Sequence, residues 1–339
     1  MNKKVRWGVL GAAKIALDKV IPAMRRGEWS EITALASRDA EKARQAARNL
    51  GIPKIYGSYE ELLADAEIEA IYNPLPNHLH VPWTIKAAEA GKHVLCEKPL
   101  SLSVAEAEKL LAVRNRTDVK IQEAFMVRTH PQWLGVRDLI RAGRIGELKV
   151  ISGFFSYFNR NAENIRNRPE FGGGALLDIG CYPIYISRLI FGAEPRRVLA
   201  LIERDPEMRV DRLASAILDF PSGRQASFTC GTQLAPHQRM QFFGTRGRIE
   251  VEIPFNIPSD TPTLVYLDDG ADLYGKNVET IEFAPANQYT IQGDVFSRAI
   301  RENGEPVISL EDSINNMSVI EALFRSSETG NWETIQKLI

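Results

Sequence analysis

A carboxylate and a phenol four residues apart, Asp178 and Tyr182, follow three consecutive glycines in Phe171-Gly172-Gly173-Gly174-Ala175-Leu176-Leu177-Asp178-Ile179-Gly180-Cys181-Tyr182-Pro183. Three glycines make a turn that can approach another chain segment or a ligand closely. If a helix follows, side chains at i and i+4 share one face, and the two groups can work as an acid–base pair. The same residues also fit a capping Asp and a core Tyr. A second candidate lies in Cys96-Glu97-Lys98-Pro99-Leu100. Lys98 would stand at the carboxyl end of a strand, where open parallel sheets bind their ligands. Pro99 fixes the backbone beside it, although a lysine at a strand end is by itself often only surface.

The run Gly8-Val9-Leu10-Gly11-Ala12-Ala13-Lys14-Ile15-Ala16 carries a dinucleotide fingerprint of the G-x-G-x-x-G kind at Gly11, Ala13 and Ala16. Gly11 permits the tight turn, Ala13 lets backbone approach a pyrophosphate, and Ala16 lets the helix pack on its sheet. The helix start then offers unpaired N–H groups and a positive dipole end to the phosphates. With two alanines the motif also fits a strand–helix turn that holds no nucleotide. At the end of the second strand an NAD-selective site places a carboxylate for the ribose 2′-OH. Here stand Ser37 and Arg38. A hydroxyl and a guanidinium suit a 2′-phosphate, because Arg can donate two charge-assisted hydrogen bonds to it, so the expected cofactor is NADP. The bland alternative is a solvated Arg38 beside a helix-capping Asp39.

Gly11-Ala12-Ala13-Lys14-Ile15, Pro76-Asn77-His78-Leu79-His80, Ala90-Gly91-Lys92-His93-Val94-Leu95-Cys96-Glu97-Lys98-Pro99 and the block from Gly172 to Tyr182 together resemble the Gfo/Idh/MocA oxidoreductase family. The likeness runs over essentially the whole chain, down to Asn287-Gln288-Tyr289 and the final helices. It implies an α/β Rossmann domain with a parallel sheet, then an α+β domain with a large, open, mostly antiparallel sheet whose face often makes a dimer contact. It implies catalytic roles for Lys98, Asp178 and Tyr182, the last at a position that is Tyr in the glucose–fructose oxidoreductase branch and His in the inositol dehydrogenase branch. Cofactor contacts are expected at Gly11, Ala12, Ala13, Lys14, Ile15, Ser37, Arg38, Leu75, Pro76, Asn77, His80, Glu97, Lys98 and Tyr289. Substrate contacts are expected at Lys98, Arg128, Phe155, Arg160, Asp178 and Tyr182. Arg166 resembles an Arg that precedes the glycine turn in relatives.

A free phenol titrates near 10, and service as a base near neutral pH needs a fall of ~3 units, roughly 4 kcal/mol in favour of the phenolate. A lysine ammonium in a dry cleft supplies much of that. Tyr182 would then take the hydroxyl proton while Lys98 holds the phenol and the substrate oxygen, and Asp178 orients the substrate or the lysine. The leading expectation is oxidation of a cyclic aldose at C1 to a lactone. Alternatives are a dismutase of the aldose–aldose or glucose–fructose type with tightly bound cofactor, a trans-dihydrodiol dehydrogenase, and a non-enzymatic nucleotide sensor. An intact Lys98, Asp178 and Tyr182 speak against the sensor.

The elements that position these groups are legible in the pattern. Over the first ~124 residues, short β-rich runs alternate with helical ones, as in a parallel sheet. Strands are expected at Val5–Leu10, Glu31–Ala36, Ala70–Tyr72, His93–Cys96 and Lys120–Glu123. Helices are expected near Ile15–Arg26, Ala40–Leu50, Ser58–Ala64, Val81–Ala90 and Ser103–Arg114, with Asp39 and Ser103 as N-caps and Gly27, Gly51 and Gly91 as stops. After His130-Pro131 a helix at Gln132–Ala142 leads into strands at Lys149–Phe155, Ala214–Phe220, Gln225–Thr229, Gln238–Phe243 and Arg248–Glu252, too few helices between them for a parallel sheet. Helices at Asp294–Glu302 and Leu310–Thr329 end the pattern. Two domains follow, 1–124 for NADP and 125–339 for substrate and oligomerisation, with the last helices able to pack back on the first.

A net charge of −1 gives no general attraction for nucleic acid or an anionic membrane. No apolar run reaches the ~20 residues of a membrane span, and Val5–Leu10, after the charged Met1-Asn2-Lys3-Lys4, reads as a first strand and not as a signal peptide. Cys96, Cys181 and Cys230 have no paired spacing, so neither a disulfide framework nor zinc is indicated. A reducing cytoplasm fits these features, and the resemblance implies a homo-oligomer, dimer or tetramer, that acts on a sugar or polyol. His78 and His80 more plausibly order a loop than ligate a metal. Arg128 and His130 fit a cleft or a hinge, and Phe155, Tyr157, Phe158 and Arg160 fit a wall for a sugar ring or a sheet core.

Overall fold

Val5–Leu10 (β1) is apolar on both faces, and the sheet around it is covered on both sides, as continuous hydrophobic strands of parallel sheets require. The computed structural model describes residues 3–335. Parallel to β1 run Ser30–Ala36 (β2), Lys54–Tyr56 (β3), Ala70–Asn73 (β4), His93–Cys96 (β5) and Ile121–Glu123 (β6), in the order β3-β2-β1-β4-β5-β6. The order reverses between β1 and β4, the switch point where such sheets open a crevice for a dinucleotide. Helices Ile21–Met24 (α1), Ala40–Leu50 (α2), Tyr59–Ala64 (α3), His80–Glu89 (α4) and Val104–Thr117 (α5) supply the crossovers. Asp39, Ser58 and Ser103 cap α2, α3 and α5. In the last two, Glu61 and Glu106 reach back to the backbone N–H just before the cap, a capping-box logic that fixes where these helices begin.

The second unit begins at Val127 and runs to Ala286, and it includes the chain from Asn315 onward; residues up to Met126 cluster instead with Asn287–Ile314. Its first helix, Pro131–Arg141 (α6), starts at a His130 cap. Leu148–Phe158 (β7) is followed by Cys181–Phe191 (α7), then by Arg197–Arg204 (β8), Asp211–Asp219 (β9), Gln225–Gly231 (β10), Gln233–Gly244 (β11), Arg248–Val251 (β12), Thr263–Asp268 (β13), Glu279–Phe283 (β14) and Glu333–Thr334 (β15). These strands form one sheet, β14-β13-β12-β11-β7-β10-β9-β8-β15, antiparallel except for the β7–β10 pair. Helix α7 lies close over its inner face because Gly153 of β7 has no side chain: a Cβ there would sit 3.1 Å from Pro183 and 2.7 Å from the Met240 sulfur. Gln288–Arg301 (α8) belongs to the first unit, where Phe296 packs on Trp7 and Ser297 accepts the Trp7 indole N–H at 3.0 Å. Leu310–Thr329 (α9) closes the fold.

Several elements depart from the sequence reading. The three-residue edge strand β3 is too short to show alternation. The expected helix Ile15–Arg26 is a π-turn at Ala16–Val20 followed by the short α1. Pro22 cannot donate a backbone hydrogen bond and its ring crowds the carbonyl four residues earlier, which the wider turn relieves. Helix α8 begins well before the expected Asp294, because Asn287 accepts hydrogen bonds from the backbone N–H groups of Tyr289 and Thr290. Strands β8, β13, β14 and β15 are absent from the sequence reading; β8 mixes apolar residues on both faces and so lacks a clean period.

One described segment, Pro169–Phe191, has the length and apolarity of a membrane span, but 89% of its apolar window is buried in the protein. Positive φ angles at Gly172 and Gly174 also break it. It is a core helix preceded by a turn.

Candidate active site

In the first unit, Gly11 leaves β1 with φ +82°. A Cβ there would stand 2.9 Å from a Leu75 methyl, so the turn is open to glycine and little else. The Gly11 N–H donates to Ala36 O at 2.7 Å, tying the turn to the end of β2 and hence to Ser37. Ser37 is buried and its hydroxyl accepts the Asp39 N–H at 3.2 Å. Arg38 is exposed, and its guanidinium lies beside the Tyr59 phenol, which itself borders the Gly11 turn. Ala12 is buried, Ala13 and Ile15 are half-buried, and Lys14 is exposed. The arrangement fits a dinucleotide: a backbone cradle that a Cβ would fill, with a cation at its rim.

The loops after β4 and β5 are stitched by buried polar groups. Asn73 accepts the Leu75 N–H at 3.3 Å and donates to His80 O at 3.1 Å. Both ring nitrogens of His80 stand 2.7 Å from carbonyl oxygens, of Pro99 and of Leu75. Burial pushes this imidazole down to about 4, so at neutral pH the ring is uncharged and donates to one of the two. His80 thus ties the loop after β4 to the Lys98–Pro99 turn and keeps its own ring away from solvent. Glu97 accepts the Tyr72 phenol at 2.7 Å with one oxygen and the Lys98 backbone N–H at 3.3 Å with the other. Burial and then the Glu97 charge push Tyr72 and Tyr289 upward, so both phenols stay protonated. Pro76, Asn77 and Lys98 are half-buried.

In the second unit, the three glycines form the turn that the sequence suggests, with φ +74° at Gly172 and +120° at Gly174. A helix follows, but its opening is a π-turn at Leu176–Gly180 that contains Asp178, not the regular α-helix assumed for an i, i+4 pair; such insertions cluster at functional sites. Asp178 still reaches Arg166, and Tyr182 lies near enough for a phenolate there to interact with the same guanidinium. Asp178 Oδ2 accepts the Tyr157 hydroxyl at 2.6 Å and Arg166 Nε at 3.1 Å. Asp178 is buried, 8% of the residue being exposed. Burial, and next Asp178, push the Tyr157 phenol far upward. Tyr157 therefore donates and does not ionise.

Tyr182 packs edge-on against Phe155, with ring centroids 5.9 Å apart, and against Phe255 at 5.2 Å. Phe155 is 5% exposed and stacks on Phe255. It supports the Tyr182 ring more than it offers a wall to a sugar. Arg160 is exposed and 3.7 Å from Glu207. Arg128 is half-buried. His130 is fully buried, accepting the Gln132 N–H at the start of α6, with its other ring nitrogen 3.3 Å from Ala286 O. Phe255 is a site member that the sequence does not point to, while Tyr157 and Arg166 are visible there without their role as donors to Asp178. The alternation of β7 could have paired Tyr157 with Phe155 on one face; nothing local points to Phe255. Among the described residues no three His, Cys, Asp or Glu side chains gather as a metal would need.

Two family models match the chain, the oxidoreductase family with an NAD-binding Rossmann fold over residues 5–125 and the GFO/IDH/MocA C-terminal domain over residues 133–250. The chain is 50% identical to an uncharacterized oxidoreductase of Rhizobium meliloti over 98% of its length and 99% of the relative's. It is 37% identical to a D-xylose 1-dehydrogenase (NADP(+)) of Haloferax volcanii, covering 96% of this chain and 98% of that one. Among solved structures, the 3-ketoreductase of Actinomadura kijaniata in complex with NADP and TDP-benzene superposes with a TM-score of 0.90 at 31% identity, over 96% of this chain and 98% of the other. The chain belongs to the Gfo/Idh/MocA family. It is an NAD(P)-dependent oxidoreductase, and named relatives such as the xylose dehydrogenase are sugar-related.

Proposed function

We propose that the protein is an NADP-dependent dehydrogenase that oxidises an aldose at C1 to the lactone, with Lys98, Asp178 and Tyr182 as its catalytic residues. The observation that carries the reading is the pinned Asp178: two donors hold one carboxylate oxygen one turn before a tyrosine seated on two aromatic rings. The likeness to the xylose dehydrogenase supports the substrate class and the cofactor. When bound, NADP+ supplies the hydride acceptor. Gly11, Ala12, Ala13, Lys14 and Ile15 would hold its pyrophosphate, Ser37 and Arg38 its 2′-phosphate, and Leu75, Pro76, Asn77, Glu97 and Tyr289 its nicotinamide end. Tyr182 takes the proton from the C1 hydroxyl, and Lys98 favours the phenolate by its charge. Asp178 cannot swing while Tyr157 and Arg166 hold it, so it accepts from the substrate in a fixed direction. Arg128 and Arg160 remain candidates for the outer substrate hydroxyls.

Following NADP+ reduction across pentoses, hexoses, inositols and a dihydrodiol tests this. Turnover with an aldose and formation of its lactone is the expected result; turnover with inositol or dihydrodiol alone would sink the C1 assignment. A second reading, reduction of a keto group on a nucleotide-linked sugar, is favoured by the superposition on the 3-ketoreductase, and NADPH oxidation with such a ketosugar would establish it. We also propose that the outer sheet face pairs with a second copy. It carries Leu201 at 78% exposure and Ile217 at 44% around a hollow of about 830 Å³. Leu201→Lys should convert a dimer to a monomer in light scattering.

A further inference from the structure

Asp211 opens β9, far from any motif, yet its carboxyl lies against the glycine turn. The side chain is 2% exposed, and its Oδ2 accepts the Leu176 N–H at 2.6 Å. Gly174 is shaped around the same group: a Cβ at that position would stand 1.9 Å from Asp211 Oδ1. The opposite side of the turn is fixed by backbone. Gly174 N–H donates to Arg166 O at 2.9 Å and Gly173 N–H to Arg168 O at 3.1 Å. A Cβ on Gly173 would reach within 2.5 Å of Arg166 O. The turn is therefore clasped between the Asp211 carboxyl and the segment that also supplies Arg166.

What is clasped leads directly to the chemistry. Leu176 stands two residues before Asp178 and six before Tyr182, and the Asp178 N–H donates back to Gly174 O at 3.1 Å. A shift of the Leu176 N–H is a shift of both side chains, because a packed helix moves as a body. We infer that Asp211 is a positioning residue: by accepting the first N–H groups of the Ala175–Phe191 helix from β9, it sets the height and rotation at which Asp178 and Tyr182 are presented.

The location of the acid argues against a role in folding alone. A buried carboxyl that no described ion pair neutralises is costly; burial pushes this one up to about 7. An apolar side chain would fill the space at less cost but would leave the Leu176 N–H orphaned at the helix start, where the dipole also favours a negative group. The cost is met at the one helix whose placement the reaction depends on. The inference rests on Asp178 and Tyr182 being the reacting pair, so its test includes a readout that needs no substrate.

Asp211→Ala and Asp211→Asn in the full chain are compared with wild type by hydrogen–deuterium exchange and by kinetics. In Asp211→Ala the Leu176 amide should exchange at least about tenfold faster, because its acceptor is gone. Asp211→Asn keeps a carbonyl acceptor and should stay close to wild type. NADP+ affinity should be unchanged in both. kcat for the best aldose should fall roughly ten- to a hundredfold in Asp211→Ala, the effect of misplacing reacting groups by about an ångström, with most of it restored in Asp211→Asn. If Asp211→Ala does not fold, Gly174→Ala disturbs the same contact from the other side and should give the same pattern. Unchanged exchange at Leu176 overturns the inference whatever the kinetics. Faster exchange with undiminished kcat makes Asp211 a fold residue and overturns it equally. Tyr182→Phe run alongside separates the two readings: full activity there refutes the reacting pair and leaves the exchange result to stand alone.

Discussion

The Tyr157 hydroxyl donates to Asp178 Oδ2 at 2.6 Å while Arg166 Nε donates to the same oxygen from another side. One carboxylate oxygen thus carries both constraints. A hydrogen bond to a charged group contributes about 1.5–3 kcal/mol, so releasing one donor should cost roughly ten- to a hundredfold if the carboxylate direction matters to the reaction. Tyr157→Phe removes the hydroxyl and keeps the ring. We expect kcat to fall by that factor with NADP+ affinity unchanged, measured by steady-state kinetics and cofactor titration. An unaltered kcat would mean that Arg166 alone holds Asp178.

What could be seen in the sequence divides along a physical line. The first sheet is local in its signals: apolar strands, Ser or Asp caps and glycine stops recur every few residues, and the strand–helix turn at Gly11 follows from them. The second sheet depends on pairings such as β7 with β10, some seventy residues apart in the chain, which no local period announces. The site shows the same division. Lys98, Asp178 and Tyr182 stand inside motifs. Tyr157 reaches Asp178 only because β7 passes beneath α7, and Asp211 reaches the glycine turn only because β9 begins there. Pro22 and the π-turn before it show a further limit, for a helix pattern was present and its regular geometry was not.

Cofactor choice turns on Ser37 and Arg38. Ser37 is committed to the Asp39 backbone, whereas Arg38 is exposed at the rim of the Gly11 turn. A lost bidentate Arg–phosphate contact costs ~2 kcal/mol, tens-fold in affinity. Arg38→Ala should therefore weaken NADP+ binding by that factor and leave NAD+ binding nearly as it was, in fluorescence titrations of both. Equal affinity of the wild type for the two cofactors would remove Arg38 from the 2′-phosphate.

Asp211 also predicts a pH dependence. Burial raises its folded-state pKa to about 7, against roughly 3.9 for an exposed Asp. Between those values the folded chain binds more protons than the unfolded one, so this contribution to stability is complete at low pH and is lost as pH rises through 7. From pH 5 to pH 8 the loss amounts to roughly 2–3 kcal/mol at most. Asp211→Asn cannot titrate. In urea unfolding, wild type should lose more stability than the variant across that interval. Parallel curves would show that the N–H groups of the helix hold the carboxyl ionised.

The acid–base assignment has its own test. Tyr182 is 5% exposed on a bed of Phe155 and Phe255, so Tyr182→Phe retains the packing and removes only the hydroxyl. If that hydroxyl takes the substrate proton, loss of general-base help should lower kcat by ~10² to 10⁴. NADP+ affinity should barely move if the phosphates sit at the Gly11 turn, as proposed. If Lys98 favours the phenolate, as proposed, Lys98→Met should lower the rate comparably and raise the apparent basic pKa of the remaining activity. Two residues acting on one hydroxyl are not additive. The double variant should be little slower than either single one, whereas independent roles would multiply the losses. Should Tyr182→Phe keep near-wild-type turnover on the best substrate, the phenol is structural and the base has to be Asp178 or Lys98.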